Sequence, residues 1–213
     1  AIYDFDIYGL GLKERKMPVD VAVKSIAYTA DGYLLAVSEV KAASTGVNPL
    51  TVYTWDDAEA QPRVLAEITA PWQAVAAGDV ELNERFAVSG NRDDIRMYLP
   101  ARIGDAATLT FCVVYIKDGK MTKSFVAATD IAAAALADCR VVVTPTSRDH
   151  LMVISDKERL CREYAFDRET GEMKAYTEFD PTAAVGRCFF RRGSKPYMAS
   201  LDDSGKMSFA AYY

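Results

Sequence analysis

The sequence has a single histidine, His150, and its four cysteines are far apart, at Cys112, Cys139, Cys161 and Cys188. Zinc sites need clustered Cys and His ligands, so this spacing indicates no metal centre, and no cofactor is expected. Two disulfides are arithmetically possible. We expect four reduced thiols instead, because Cys112 and Cys188 lie in apolar strand-like runs, and reduced thiols favour an intracellular, cytoplasmic location.

Long hydrophobic runs are also absent. The longest, such as 111–116, end well short of the roughly 20 residues that a membrane-spanning helix requires, so no membrane role is expected. The chain opens at Ala1 with neither an initiator Met nor a basic-then-apolar leader, which indicates a processed form or an excised piece.

Motifs for catalysis are missing as well. The chain has no G-x-S-x-G elbow, Walker loop or H-E-x-x-H, and Gly9-Leu10-Gly11 lacks the third glycine of a dinucleotide fingerprint. The sole histidine, next to Asp149, is expected to be a solvated turn residue. The sequence therefore predicts no catalytic residue and a protein that is not an enzyme.

The charge is 25 basic against 30 acidic residues, a net −5, which argues against general nucleic-acid binding. The densest positive cluster is a candidate surface for a protein partner, since arginine forks match phosphates and carboxylates, and a solvated turn is the alternative. Trp72, after Pro71, is a second candidate anchor. The cluster consists of Arg187, Arg191, Arg192 and Lys195.

What the chain has in abundance is short stretches rich in Val, Ile, Tyr, Phe and Thr, bounded by glycine and proline signals. Examples are 34–40, 109–116 and 151–154. Helical periodicity is nearly absent, which predicts an all-β fold. The alanine-rich run 130–138 fits either a short helix or a strand of small residues.

A spacing near 50 residues recurs along the chain. Gly119 and Met121 are echoed by Gly171 and Met173, both at +52. Such spacing is typical of repeat architectures. It predicts one domain over 1–213, with four-stranded units near 21–70, 71–128, 129–180 and 181–213 and closing strands in 1–20.

Residues 25–37 read S-I-A-Y-T-A-D-G-Y-L-L-A-V, and 52–56 read V-Y-T-W-D. Together they resemble a WD-type blade, with Trp55-Asp56 where that family has its Trp-Asp pair. The resemblance implies a β-propeller-like fold of about four blades of four antiparallel strands, with another β-sandwich or an α+β domain as the alternative. The family's Gly-His pair is missing, and four blades are fewer than its usual seven.

In such blades small residues pack the inner strand, a role for which the alanine-rich segments 74–78, 132–137 and 183–186 are suited. Aspartates would accept backbone N–H bonds in tight turns between the second and third strands. The expected turn residues are Asp93, Asp94, Asp149 and Asp202.

The leading functional hypothesis is a non-enzymatic scaffold, a WD-like module that binds protein partners within a larger assembly. The first alternative is a small-ligand- or carbohydrate-binding propeller, including a hydrolase, that uses carboxylates at its central channel. The second is a fragment whose missing blades lie on another chain.

Overall fold

The computed structural model describes residues 2–6, 8–16, 22–39, 50–57, 60–68, 80–83, 85–144, 147–178, 186–193 and 195–211. Regular structure in these ranges is antiparallel β-sheet, apart from a 3-10 helix at Ala133–Ala137. None of their helices is long and apolar enough to cross a membrane. All four cysteines are free.

The strands form one hairpin followed by four sheets, numbered here in chain order. The hairpin is β1 (Ile2–Asp6) and β2 (Gly11–Arg15), and sheet 1 holds β3 (Val23–Tyr28), β4 (Leu34–Glu39), β5 (Leu50–Thr54) and β6 (Arg63–Ile68). Sheet 2 holds β7 (Val80–Leu82), β8 (Ala87–Asn91), β9 (Asp94–Ile103), β10 (Thr108–Lys117) and β11 (Lys120–Ala132). Sheet 3 holds β12 (Arg140–Val143), β13 (His150–Ser155), β14 (Leu160–Phe166) and β15 (Met173–Glu178), and sheet 4 holds β16 (Gly186–Arg192), β17 (Lys195–Leu201) and β18 (Met207–Ala211).

Sheet 2 lies at the centre of the stack, and both of its faces are apolar. On β10, Cys112 and Val114 pack towards sheet 1, whereas Phe111 and Val113 pack towards sheet 3. Side chains alternate across a strand, so a continuous apolar run is what a strand covered on both faces requires. Each such side chain stabilises the fold by about 2 kcal/mol on burial.

The remaining layers follow the same pattern. The hairpin inserts Ile2 against Leu34 and Trp55 of sheet 1. At the other end, Phe189 of sheet 4 packs on Met152 and Cys161 of sheet 3. Neighbouring sheets also meet along one edge, where β8 contacts both β3 and β12, and along the opposite edge, where β11 contacts both β6 and β15.

The sheets therefore stack face to face in chain order, with β3, β8 and β12 along one shared edge, called the inner edge below, and the expected all-β architecture of about four antiparallel sheets is confirmed. Gly119 and Gly171 occupy the same turn, before the last strand, in sheets 2 and 3, with φ of 72° and 76°. The stack is open, because in the described ranges the hairpin forms its own two-stranded sheet and is not hydrogen-bonded to sheet 4.

The alanine run 132–137 differs from the expected inner strand. It forms the 3-10 helix, and the inner strand of sheet 3 is the valine-rich β12. Asn83 stabilises this helix end by donating from Nδ2 to the carbonyls of Leu136 and Cys139. Residues 74–78 and 183–185 of the other small-residue segments lie outside the described ranges.

Candidate functional site

Two adjoining cavities, of about 1300 and 540 Å³, open beside the inner strand β3. Lys24 and Ser25 of β3 border both of them, and the two cavities together are called the recess below. The recess lies where the inner strand of sheet 1 begins, between the hairpin on one side and the start of sheet 2 on the other.

The hairpin forms the outer wall of the larger cavity, and three contacts position it. Nε of Arg15 lies 2.7 Å from Oδ2 of Asp4, and the Arg15 guanidinium stands 5.7 Å from the Trp55 ring centroid. The indole Nε1 of Trp55 donates to the Lys16 carbonyl at 3.0 Å. These contacts leave the side chains of Tyr3, Glu14 and Lys16 along the cavity wall.

Asn83 and its neighbours form the wall of the smaller cavity. Oδ1 of Asn83 accepts the backbone N–H of Arg85 at 2.7 Å, while its Nδ2 binds the 3-10 helix end. The Arg85 side chain is exposed at this wall, and Glu81 pairs with Arg102 at 2.9 Å. Asn83 thereby fixes the chain segment that carries Arg85.

The lining combines apolar side chains with hydrogen-bonding and charged groups. Among its described residues, the four cations outnumber the two anions, whereas the whole chain carries −5. Amides from Gln61 and Asn83 and the Ser25 hydroxyl add neutral donors and acceptors. The cations are Arg15, Lys16, Lys24 and Arg85, and the anions are Glu14 and Glu81.

The predicted basic cluster lies on sheet 4, away from this recess. Arg187 is on β16, and Arg192 and Lys195 are exposed and directly opposite each other across the β16–β17 turn. None of these three side chains lines the recess. The Arg191 side chain and all of Trp72 lie outside the described part of the chain. Partner binding through this cluster stays a prediction.

Asp93 lies in the β8–β9 turn, and Asp94 begins β9. Their backbone N–H groups donate to Oδ1 of Asn91, at 3.2 and 3.0 Å, so Asn91 is the acceptor in this turn. The Asp94 carboxylate instead pairs with Arg148 of sheet 3 at 3.3 Å. The expected backbone-accepting role in a second-to-third-strand turn is thus corrected for both residues.

Asp149 and Asp202 differ from each other in what their carboxylates bind. Asp149 precedes β13 and pairs with Arg96 of sheet 2, so its carboxylate links two sheets. Asp202, between β17 and β18, accepts the backbone N–H groups of Ser204 and Lys206 at 3.0 and 2.8 Å. The Ser204 hydroxyl and these backbone bonds lower the pKa of Asp202.

His150 is not a solvated turn residue. It begins β13, half-buried, with Nδ1 3.0 Å from Oε1 of Glu163, and its ring meets Tyr176 edge-on at 4.8 Å. Glu163 is only 1% exposed and also accepts from the Thr144 hydroxyl at 3.3 Å. Sequence reasoning missed Glu163, because nothing in its neighbourhood distinguishes it from a solvated residue of an amphipathic strand. Among the described residues, no group of three or more His, Cys, Asp or Glu comes together to hold a metal ion.

No protein-family model matches the chain, and no curated protein matches it. Among solved structures it is similar to a DUF4623 family protein from Bacteroides eggerthii, with a TM-score of 0.56 and 14% identity over 85% of this chain and 40% of that one. It is also similar to an auxiliary nutrient binding protein from Bacteroides ovatus, with a TM-score of 0.49 and 11% identity over 97% of this chain and 51% of that one. A third is the periplasmic gluconolactonase of Pseudomonas aeruginosa, with a TM-score of 0.45 and 11% identity over 97% of this chain and 76% of that one.

These likenesses concern the fold, which is β-propeller-like as expected, and they do not support WD-type membership. The chain spans 40% and 51% of the lengths of the first two structures. The hypothesis of a non-enzymatic interaction scaffold is contradicted, because the neighbours are named as a nutrient binding protein and a gluconolactonase. The same finding corrects the expectation that the protein is not an enzyme.

Proposed function

We propose that this chain is the ligand-binding part of a propeller whose recess takes up a carbohydrate or a similar polyhydroxylated molecule. The observation that carries the proposal is the recess itself, formed by the hairpin, β3 and the start of sheet 2. Its larger cavity, of about 1300 Å³, exceeds the roughly 300–1,000 Å³ of ordinary small-molecule sites, so an oligomer of several sugar units fits the available space.

The lining chemistry supports a polyhydroxylated ligand. Sugar hydroxyls both donate and accept, and the Gln61 and Asn83 amides, the Ser25 hydroxyl and the Glu14 carboxylate supply both functions. Tyr3, whose side chain is 56% exposed, offers an aromatic face to the apolar C–H face of a sugar ring.

The finer WD-type resemblance is proposed for sheet 1 alone. Trp55 follows the third strand, β5, and is buried between this sheet and the hairpin. A Trp-Asp pair at the end of a third strand is the position that the resemblance implies. Sheets 2 and 3 carry no Trp-Asp pair in their sequences.

Titration calorimetry with a panel of neutral and acidic tri- to hexasaccharides tests the proposed function. We expect saturable binding, and we expect Tyr3→Ala to weaken it about tenfold, because the stacking surface is lost. Tyr176→Ala is the matched control, since Tyr176 is equally exposed but lies on β15 of sheet 3. The proposal fails if no saccharide binds, or if both variants weaken binding equally.

A further inference from the structure

We infer that the outer face of sheet 4 is a docking surface for the same face of a second copy of this chain, so that two copies associate about a twofold axis. The inference is independent of the proposed saccharide binding, because the recess lies beside sheet 1, at the other end of the stack. The inner face of sheet 4 already has a neighbour, since Phe189 packs on Met152 and Cys161 of sheet 3.

The outer face of sheet 4 is apolar along all three of its strands. Side chains alternate across a strand, so the residues on either side of Phe189 point away from sheet 3. Directly opposed residues of neighbouring strands share a face, and the register extends this face from β16 through β17 to β18. Its larger apolar members are Cys188, Phe190, Tyr197, Leu201, Met207 and Phe209.

Most of this face is open to solvent. Cys188 is exposed, and the exposed fractions of Met207 and Phe209 are 58% and 63%. The aromatic rings form one cluster, since Phe190 stacks on Tyr197 with ring centroids 5.6 Å apart and meets Phe209 edge-on at 6.3 Å. An exposed cluster of aromatic and other apolar side chains is typical of a surface that another protein covers.

The charges at the two ends of the face favour a second copy as the occupant. At the β16–β17 turn, Arg192 and Lys195 are exposed and directly opposite each other. At the other end of the strands, the β17–β18 turn carries Asp202 and Asp203, followed by Lys206. One end is therefore basic and the other is acidic by one charge. Among the described residues, neither Lys195 nor Asp203 takes part in an ion pair.

Two such faces are complementary when their strands run antiparallel. A twofold axis that lies between the sheets and perpendicular to the strands places the basic end of each copy over the acidic end of the other. The charge contacts are then made twice, and the aromatic clusters meet in the middle. Face-to-face packing of sheets is also how this chain builds its own core.

Sedimentation velocity over a range of protein concentrations tests the inference. We expect the 23.4 kDa chain to be monomeric at about 1 µM and to double its mass by about 200 µM. Phe209→Glu should weaken the dimer at least about 30-fold, because it buries an unpaired charge in the contact. Tyr176→Glu is the matched control, since Tyr176 is 60% exposed on sheet 3, and it should leave the dimer unchanged.

A wild-type chain that stays monomeric throughout this range overturns the inference, and so do equal losses in Phe209→Glu and Tyr176→Glu. Should Phe209→Glu prove unfolded by circular dichroism, Met207→Glu replaces it with the same expected outcome.

Charge reversal tests the antiparallel arrangement. Asp203 is changed rather than Asp202, because the Asp202 carboxylate holds the turn by accepting two backbone N–H groups. Lys195→Glu and Asp203→Lys should each weaken the dimer about fivefold at about 50 mM salt, where charges are little screened. The double variant should regain the wild-type affinity, because each end again faces the opposite charge. A double variant that binds no better than the single variants overturns the twofold arrangement.

Hydrogen exchange at the same two concentrations distinguishes the other occupants. Peptides from β16 to β18 should gain protection between about 1 and 200 µM, whereas peptides from the hairpin should not. An equal gain in the hairpin would mean that sheet 4 of one copy docks on the hairpin of the next, and it overturns twofold docking. No gain in either place would mean that a different partner covers the face, which also overturns the inference.

Discussion

Arg96 and Asp149 form an ion pair between sheets 2 and 3 that is almost closed to solvent. Arg96 is 5% exposed, and its guanidinium also stands 5.4 Å from the Tyr115 ring centroid. Burial by itself lowers the pKa of Arg96, but the charge and hydrogen bond of Asp149 together with the nearby Tyr98 and Tyr115 side chains outweigh it, and the pKa is raised. The arginine therefore stays charged, and its positive charge is stabilised by the Asp149 carboxylate and the Tyr115 ring.

We expect Arg96→Ala to lower the free energy of unfolding by about 3–5 kcal/mol, because it leaves Asp149 partly buried without its main partner. Arg63→Ala should cost less than about 1 kcal/mol, since the Arg63–Asp56 pair is exposed. Urea denaturation of both variants measures the difference. Similar losses would mean that the buried pair contributes no more than a surface pair.

The pairing of Arg96 with Asp149 could not be predicted from the sequence. The position of Asp149 in a turn before a strand follows from local signals, but its partner is 53 residues away on another sheet. In the sequence, Arg96 alternates with the apolar Ile95 and Met97, as a solvent-facing residue would, and no local feature identifies the carboxylate that it meets. The same applies to Glu163 and His150.

Asp138 connects two elements, the end of the 3-10 helix and the β13–β14 turn. Its carboxylate accepts the Ser155 hydroxyl at 2.7 Å and the backbone N–H groups of Asp156 and Lys157, each at 3.0 Å. Burial would raise the pKa of Asp138, but the bonds from Lys157, Ser155 and Asp156 and the charge of Lys157 together outweigh it, and the pKa is lowered. A lowered folded-state pKa contributes stability above the unfolded pKa of about 3.9 that is lost as the pH falls further.

We therefore expect Asp138→Asn to reduce the free energy of unfolding by about 1–2 kcal/mol at pH 7. The difference in stability between wild type and variant should narrow as the pH falls below about 4, because the wild-type carboxylate takes up a proton there. Urea denaturation at pH 7 and pH 2 checks both statements. Ser204→Ala in the exposed β17–β18 turn is a control for loss of a surface hydroxyl. A difference in the free energy of unfolding that does not change with pH would contradict the stabilising role of the negative charge on Asp138.

Strands made largely of apolar residues can be predicted from the sequence, whereas strands that form only by pairing with a neighbouring strand cannot. The stretches 109–116 and 151–154 lie within β10 and β13, which extend them by one residue at each end. The 13-residue β11 was not predicted, because exposed lysines and threonines fill its first half and only pairing with β10 makes it a strand. Alanines 132–137 have low strand propensity, and Asn83 binds their helical end.

An open stack has two ends, and their outer faces are exposed. Leu12 of the hairpin is 69% exposed, and Phe209 of β18 is 63% exposed. Sheet 2 by contrast is covered on both faces. Stability in such a layered molecule is a sum over neighbouring contacts, so we expect it to decrease from the centre to the ends.

Hydrogen exchange measured by mass spectrometry tests this gradient. Peptides covering β10 should exchange at least about 100-fold more slowly than those covering β18 or the hairpin, because they open only with the whole stack. Phe111→Ala should accelerate exchange throughout, whereas Phe209→Ala should leave β10 unchanged. Equal protection from hydrogen exchange in all peptides from the hairpin to β18 would contradict the expected decrease in stability from the centre to the ends.

At the scale of the whole molecule, the 50-residue spacing indicates several similar sheets, and the fold agrees. It contains no information on whether the stack closes, since closure depends on which terminal strands become neighbours. The recess could not be predicted either. Lys16, Lys24 and Arg85 come from the hairpin end, from β3 and from the segment before β8, and in the sequence they are scattered charges.

In a closed ring the number of blades determines the width of the central opening, but here one border of the recess is a two-stranded hairpin attached by its face alone. The hairpin is held on sheet 1 by Trp55, whose indole binds the Lys16 carbonyl and which is not among the residues that line the larger cavity. Changes around Trp55 would therefore adjust how widely the mouth of the recess opens, giving the molecule a means of tuning affinity without replacing any side chain that lines the larger cavity.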